Sequence, residues 1–173
     1  MELIRAFLRQ KQVLSIRRNH AVEHATIHIL SQQHPTRAIS GYSDMHGFWI
    51  IGAIPGEDIR LAVDEAIKRL QGGESRLAYH PNCGTNFVTT GVMAGLAAWL
   101  AMLGSGRKMS DKLDRLPTVF IFSTLAVIAA QPLAARVQIH GTTSSDLGEY
   151  HLLRIEDVSR GSIQAYRIIT TSR

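Results

Sequence analysis

The chain has a single cysteine, Cys83, among its 173 residues, so it cannot form an internal disulfide. This composition agrees with a reducing compartment. Gly-rich phosphate loops, G-x-S-x-G elbows and Cys-His-Asn nucleophile patterns are also missing, which argues against the common nucleotide-binding and serine or cysteine hydrolase classes. Aromatic residues make up only 6% of a chain that is 45% hydrophobic. The apolar content is therefore mainly aliphatic, and its distribution along the chain is informative.

Two long uncharged runs contain much of this apolar content. Residues 86–106 form a run of 21 uncharged residues, and residues 116–135 form another of 20. Each is long enough to cross a hydrocarbon core of about 30 Å. We predict a transmembrane hairpin with spans near residues 87–104 and 116–134 and both termini on the same side. The alternative is a pair of buried core helices in a soluble protein, because Thr and Pro residues dilute both runs.

The spacing of Gly91 and Gly95 in the first run predicts a close approach of the two helices, as small residues four apart allow in lipid. We therefore expect the lipid bilayer to be the main partner of the chain. The localisation that follows is integral to the inner or plasma membrane.

The N-terminal segment interleaves apolar and basic residues at helical spacing, with Leu3, Phe7 and Leu8 beside Arg5 and Arg9. This pattern favours a basic amphipathic helix on an anionic lipid surface, and the alternative is a solvated helix packed on the domain. The segment has no uninterrupted apolar stretch and no cleavage site, so we expect no signal peptide and soluble portions in the cytoplasm. The net charge of +5 comes without a nucleic-acid motif, so we expect no nucleic-acid partner.

The remaining patterns predict an α+β membrane protein of one domain. In chain order we expect a long N-terminal helix, a small β-hairpin, an amphipathic helix, the two-helix transmembrane hairpin and a C-terminal β-hairpin. Their approximate ranges are residues 2–32, 38–54, 55–72, 86–135 and 150–170 respectively. Residues 1–85 would carry the candidate site, residues 86–135 the transmembrane hairpin, and residues 136–173 the C-terminal β portion.

The pattern H-x-x-E-H at residues 20–24 carries the main chemical signal. On a helix, His20 and His24 share one face with Cβ atoms about 5–6 Å apart, so both imidazoles can reach a single Zn²⁺. Glu23 lies between them and can act as a general base on water activated by the ion. The spacing therefore predicts a zinc site with Glu23 as the candidate catalytic residue.

The second motif, H-P-N-C-G-T at residues 80–85, comes directly before the first apolar run. Its Pro and Gly predict a tight turn that brings an imidazole and a thiolate to the same side. We predict that the N-terminal helix docks against this turn, so that the zinc ligands are His20, His24, His80 and Cys83. The alternatives are a small buried hydrophobe for Cys83 and an ordinary loop histidine for His80.

Further polar residues near the two motifs could orient the zinc ligands. These candidates are His28, Asn82, Thr85, Gln138 and His140. For His28, apolar neighbours favour a partly buried helix edge instead.

Together these residues resemble an uncharacterised group of bacterial membrane proteins that share a domain of unknown function. The similarity covers about residues 17–155 and includes a later Q-I-H-G-T-T stretch at residues 138–143. It implies a membrane protein with a shared polar site and no particular activity; the matched residues are His20, Glu23, His24, His80 and Cys83. Over five residues, the first motif also resembles the inverted-zincin metallopeptidases, in which the histidines bind zinc and the glutamate is the base.

Two classes of function remain open. The first is a membrane-embedded, metal-dependent hydrolase of peptidase type, in which Glu23 takes a proton from water. The second is a non-catalytic membrane protein whose metal site joins the first helix to the base of the membrane hairpin and stabilises a thin hydrophobic core. Glu23 distinguishes them, because only the enzyme requires its carboxylate.

Overall fold

The computed structural model of the chain describes residues 2–172, which divide into two compact units. The α/β unit comprises residues 2–80 and 139–172, and the helical unit comprises residues 81–138. The chain forms α-helices and a four-stranded antiparallel sheet. The predicted α+β class is therefore confirmed.

The N-terminal helix is interrupted, so the expectation of one continuous helix over residues 2–32 is wrong. Helix α1 spans Glu2–Leu8 and helix α2 spans Lys11–Gln33. Between them, Gln10 has an extended backbone with ψ of 136°, and the N–H groups of Arg9 and Gln10 bond to carbonyls three residues back. No Gly or Pro marks this break, so helical spacing alone does not reveal it.

The two predicted hairpins are present, and they join into a single sheet. The strands are β1 (Ser40–Asp44), β2 (Gly47–Ile51), β3 (Tyr150–Asp157) and β4 (Ala165–Ser172), in the spatial order β1-β2-β4-β3. Strand β2 pairs antiparallel with β4, with Phe48 opposite Ile168. This pairing connects the two ends of the chain, a long-range contact that turn and strand patterns do not encode.

Helix α3 (Gly56–Gln71) supplies one side of the core of the α/β unit. Its apolar residues recur at the helical period and are buried; they are Ile59, Ala62, Val63, Ala66, Ile67 and Leu70. Acidic residues in its first turn and basic residues in its last turn complement the helix dipole. On the sheet, Phe48, Ile50 and Ile168 are fully buried. Helix α2 adds Ala21, Val22 and Ala25 to the same core, which fixes its position in the unit.

A buried asparagine on α2 connects the helix to three strands. The side-chain amide of Asn19 donates to the carbonyl of Asp44 at 2.8 Å. Its Oδ1 accepts hydrogen bonds from the hydroxyls of Tyr150 and Thr170, both at 2.7 Å. Burial raises the pKa of the Tyr150 hydroxyl, so this group remains a donor at physiological pH. All polar atoms of the Asn19 side chain thus have partners in the core.

The helical unit contains α4 (Gly84–Met102), α5 (Met109–Leu113) and α6 (Leu116–Val137). Two helical stretches, Gly84–Met102 and Met109–Thr142, are long and apolar enough to cross a membrane. Only 11% of the most apolar window of each is buried, so they are not core helices of this chain.

The expected close approach of these helices at Gly91 and Gly95 is wrong. A Cβ added at either glycine would meet no atom within 4 Å, so these two positions do not lie at the contact between α4 and α6. Instead, the hydroxyl of Ser123 on α6 donates to the carbonyl of Ala94 on α4 at 3.3 Å. Spacing identifies a small-residue stripe but does not determine which way it faces.

The Asn19 interactions predict the cost of removing one hydroxyl. Tyr150→Phe leaves Asn19 with one fewer donor in the core, and we expect it to lower the free energy of unfolding by about 1 kcal/mol. Chemical denaturation followed by circular dichroism measures the change. Tyr42→Phe, at a side chain that is 65% exposed, is the matched control and should have no effect. Equal stabilities of the two variants would contradict the structural role of Asn19.

Candidate metal centre

Four histidines of the α/β unit form a continuous cluster. His20, His24 and His28 lie on α2 at intervals of four residues, and His80 follows the 3-10 turn Ser75–Ala78. Ring centroids are 4.3 Å apart for His20 and His24, 5.7 Å for His24 and His80, and 4.8 Å for His28 and His80. These four residues are called the histidine cluster below. The structure therefore brings His80 to the α2 stripe, as the docking prediction requires.

Backbone carbonyls determine the tautomers of the three helix histidines. Nδ1 of His20 lies 3.0 Å from the carbonyl of Thr142, and Nδ1 of His24 lies 2.7 Å from that of Ala78. Because a carbonyl can only accept, both Nδ1 atoms carry the proton. In the neutral form of each ring, Nε2 is then the unprotonated nitrogen. Metal-binding histidines in proteins usually have their other ring N–H bonded in this way.

The third helix histidine follows the same rule with the opposite nitrogen. Nε2 of His28 lies 2.7 Å from the carbonyl of Tyr79, so Nε2 carries a proton, and Nδ1 is the unprotonated nitrogen when the ring is neutral. His28 is part of the histidine cluster through its ring contact with His80. The expectation that His28 lies at a partly buried helix edge does not include this hydrogen bond to Tyr79.

The two helix nitrogens best placed for one ion belong to His20 and His24. A ring nitrogen of each lies within 4.8 Å of the other. Tetrahedral zinc with bonds of about 2.0–2.1 Å places its nitrogens about 3.4 Å apart, which lies inside this limit. Burial, followed by the nearby His28 and His24, lowers the pKa of His80 to about 4. The imidazole of His80 is thus neutral at physiological pH, the form in which it can bind a metal.

The carboxylate of Glu23 faces strand β1. Glu23 is buried, with 5% of its surface exposed, and it accepts a hydrogen bond from the hydroxyl of Ser43. Gly41 lies beside it, since a Cβ at that position would be 2.5 Å from Oε1 of Glu23. Among the residues that the structure describes, the close group of donor atoms that contains His20 and His24 does not include Glu23. The carboxylate is therefore not placed as a ligand, and its role as a base stays a prediction.

The remaining predicted site residues lie outside the α/β unit or away from the cluster. Cys83 belongs to the helical unit, where its sulfur caps α4 by accepting the N–H of Thr85 at 3.4 Å. Asn82 precedes it in the same unit. Gln138, also in that unit, donates to Asn86 at 3.3 Å. The ring of His140 is exposed. Roles at a metal for these four residues, and for Thr85 in the helical unit, stay predictions.

Two arginines that the motif analysis passes over position the acceptor for His20. Arg17 donates to the carbonyls of His140 at 3.0 Å and Thr143 at 2.8 Å. Arg18 donates to the carbonyl of Asp146 at 2.9 Å. These bonds hold residues 140–146 against α2 and present the Thr142 carbonyl to the His20 ring. The sequence feature that indicates these arginines is the run of polar residues 17–19 directly before the H-x-x-E-H pattern.

The fold and the histidine cluster define a class: an α+β protein with two helices that could span a membrane and a set of oriented imidazoles on one helix. A family model described as "Domain of unknown function (DUF6391)" matches residues 15–158. An uncharacterised protein of Picosynechococcus sp. (strain PCC 7002) is 32% identical over 168 residues, covering 88% of this chain and 75% of the relative. The chain therefore belongs to the DUF6391 family. No solved structure matches it.

The packing of Glu23 against Gly41 predicts a sharp effect of a small substitution. Gly41→Ala places a methyl group against the carboxylate, which must shift, and we expect a loss of about 1–3 kcal/mol in unfolding free energy. Chemical denaturation measures it. Gly91→Ala is the matched control, because a Cβ there meets nothing within 4 Å. If both substitutions are equally tolerated, Glu23 is not held where the structure has it.

Proposed function

We propose that the protein is an integral membrane metalloprotein in which His20 and His24 bind a zinc-like divalent ion and Glu23 serves hydrolysis of a peptide-like substrate. The observation that carries the metal proposal is the pair of ring N–H groups bonded to the carbonyls of Thr142 and Ala78. In the neutral form of these two rings, which lie one helical turn apart, the bonds leave Nε2 as the unprotonated nitrogen. A pair of ordinary surface histidines has no need of such fixed tautomers.

Two more ligands are proposed from the second motif. The ring of His80 is already within 5.7 Å of the His24 ring between centroids. Cys83 follows His80 by three residues, and a chain of that length spans at most about 11 Å. This short separation in sequence is why we propose its thiolate as a ligand together with His80. A set of three imidazoles and one thiolate suits zinc, and one position released to water gives the catalytic version.

Glu23 is the proposed base because it directly precedes His24, follows His20 by three residues, and is held by a hydrogen bond from Ser43. A bound divalent ion supplies Lewis acidity, which acidifies water and polarises a substrate carbonyl. Glu23 accepts the proton of the attacking water through one carboxylate oxygen. The Ser43 hydroxyl, which donates to this carboxylate, restrains its orientation. Buried surroundings exclude bulk water from the group, since both Glu23 and His24 are at most 5% exposed.

The same burial favours a second function, a structural metal site. Glu23 packs against Gly41 and bonds Ser43, contacts that would also serve a carboxylate with a purely structural role. In that case the ion would connect α2 to the turn at residues 80–85 and stabilise the chain without turnover. The two functions share their metal ligands and differ only in what Glu23 does.

Substitution of Glu23 and His24 separates these functions. If the protein is a hydrolase, Glu23→Gln retains near-stoichiometric metal and loses hydrolysis of a quenched-fluorescent peptide library, because an amide cannot accept the proton. His24→Ala loses both the metal and the hydrolysis, because it removes a metal ligand. Elemental analysis of detergent-purified protein gives the metal content, and His151→Ala, at an exposed ring, is the control.

Other outcomes of this experiment are equally decisive. Wild-type protein with metal and no turnover, unchanged by Glu23→Gln, supports the structural site. Metal loss in Glu23→Gln as large as in His24→Ala shows that Glu23 is a ligand and removes the proposed base. Absence of metal from the wild-type protein would contradict both the catalytic and the structural metal site.

We also propose that α4 and α6 cross the bilayer as a hairpin. Large apolar side chains face outward on both helices, and examples are Phe87, Trp99, Phe120 and Ile128, each more than 60% exposed. Exposing such a surface to water is unfavourable, and lipid covers it. The exposed Leu3 and Phe7 of α1 lie near the exposed Arg9 and Lys11 in sequence, which supports an anionic lipid contact of the N-terminal segment.

Carbonate extraction at high pH tests the membrane hairpin. The protein should remain in the membrane pellet, because extraction releases peripheral proteins and not spanning helices. Replacing Leu96 and Ile128, both outward-facing, with Arg should reduce membrane insertion, as charged residues at a span centre cost about 2.5–3.5 kcal/mol each. Wild-type protein found wholly in the supernatant would overturn the proposal.

A further inference from the structure

A cavity lies against the backbone that orients the histidine cluster. It has a volume of about 340 Å³, and Ala78, Tyr79, Ile139, Arg76 and Thr143 are among its lining residues. The carbonyls of Ala78 and Tyr79 are the same groups that bond His24 and His28. A volume of this size is at the lower end of the range typical of small-molecule sites in proteins.

A second, more open cavity of about 530 Å³ is its neighbour, because Ser75 and Ser145 line both. The second cavity, called the trough below, is also lined by Gly73 and Gly148. Small residues leave the backbone N–H and C=O groups of such a wall accessible, which suits an extended peptide. The first cavity, called the inner cavity below, is more apolar than the trough. We therefore expect an apolar group of the ligand to lie in the inner cavity.

The charges along the two spaces have opposite sign. Arg76 is the one charged side chain among the described residues that line the inner cavity, and Asp146 is the one among those that line the trough. A ligand that fits both spaces carries a negative end inside and a positive end outside. A short peptide with free termini has this polarity, with its carboxylate toward Arg76 and its ammonium toward Asp146.

From this complementarity we infer that the cavity and trough bind a short peptide with an apolar C-terminal residue, whose carboxylate pairs with Arg76. The inference deepens the proposed hydrolase function, on which the peptide's role as substrate rests, by naming the class of substrate. Binding itself needs only the cavity, the trough and their two charges. A fatty acid would satisfy Arg76 and the apolar lining but has no group for Asp146.

Equilibrium dialysis of radiolabelled Ala-Ala-Leu against the full chain in neutral-lipid nanodiscs, with a chelator present, tests binding apart from metal and turnover. We expect saturable binding that weakens about tenfold when the peptide carboxylate is replaced by an amide, because a charged hydrogen bond to Arg76 is lost. Arg76→Gln should weaken binding of the free acid by a similar factor and leave the amide unaffected. Asp146→Asn should weaken Ala-Ala-Leu and leave its N-acetyl form unaffected.

Matched controls are Arg60→Gln and Asp64→Asn, which remove exposed charges of α3 that line neither space. Both should bind like the wild-type chain. Ser75→Trp, at an exposed position shared by the two spaces, should block binding without changing metal content. No saturable binding, or equal effects of the Arg76 and Arg60 variants, would overturn the inference.

The remaining outcomes separate this inference from the proposed function. Decanoate binding more tightly than Ala-Ala-Leu, with the same dependence on Arg76 and none on Asp146, would assign the cavity to an acyl chain and overturn the peptide. Peptide binding by a protein that contains no metal when it is purified without chelator would sustain the cavity assignment and contradict the metal proposal. Metal binding without peptide binding would support the metal proposal and overturn the cavity assignment.

Discussion

The structure of the α/β unit depends on the need of polar groups on helix α2 for hydrogen-bond partners. His20 bonds a carbonyl 122 positions away, and His24 and His28 bond carbonyls 54 and 51 positions away. Leaving a buried ring N–H without an acceptor costs about 1–3 kcal/mol, so each bond stabilises the docking of a distant segment. The 3-10 turn and the segment after α6 are thereby held against one helix.

The turn of α2 that precedes the histidines also forms hydrogen bonds to distant segments of the chain. Arg17 and Arg18 bond the carbonyls of residues 140–146, and Asn19 bonds groups on three strands. Apolar packing of α2 on α3 and the sheet supplies most of the burial, while these polar contacts determine how the helix is rotated. The rotation in turn decides which side chains face the candidate metal centre and brings the carboxylate of Glu23 to the Ser43 hydroxyl on β1.

Local sequence patterns predict the elements and not their long-range assembly. The hairpins, α3 and the two apolar helices follow from period, turn residues and run length. The pairing of β2 with β4, the break at Gln10 and the outward face of Gly91 and Gly95 depend on contacts that no local pattern encodes. At the site, spacing and residue type indicated His20, His24 and His80, whereas the carbonyls of Thr142, Ala78 and Tyr79 have no side-chain signal.

The central proposal is that imidazoles on α2 are arranged to bind a metal ion. Zinc K-edge X-ray absorption of the purified, zinc-loaded chain tests it most directly, because it reports the type and number of ligands. The account predicts at least two imidazole scatterers at about 2.0–2.1 Å, with a sulfur at about 2.3 Å if Cys83 is bound, and loss of imidazole scattering in His20→Ala. A spectrum of oxygen ligands alone, unchanged by that substitution, would contradict it.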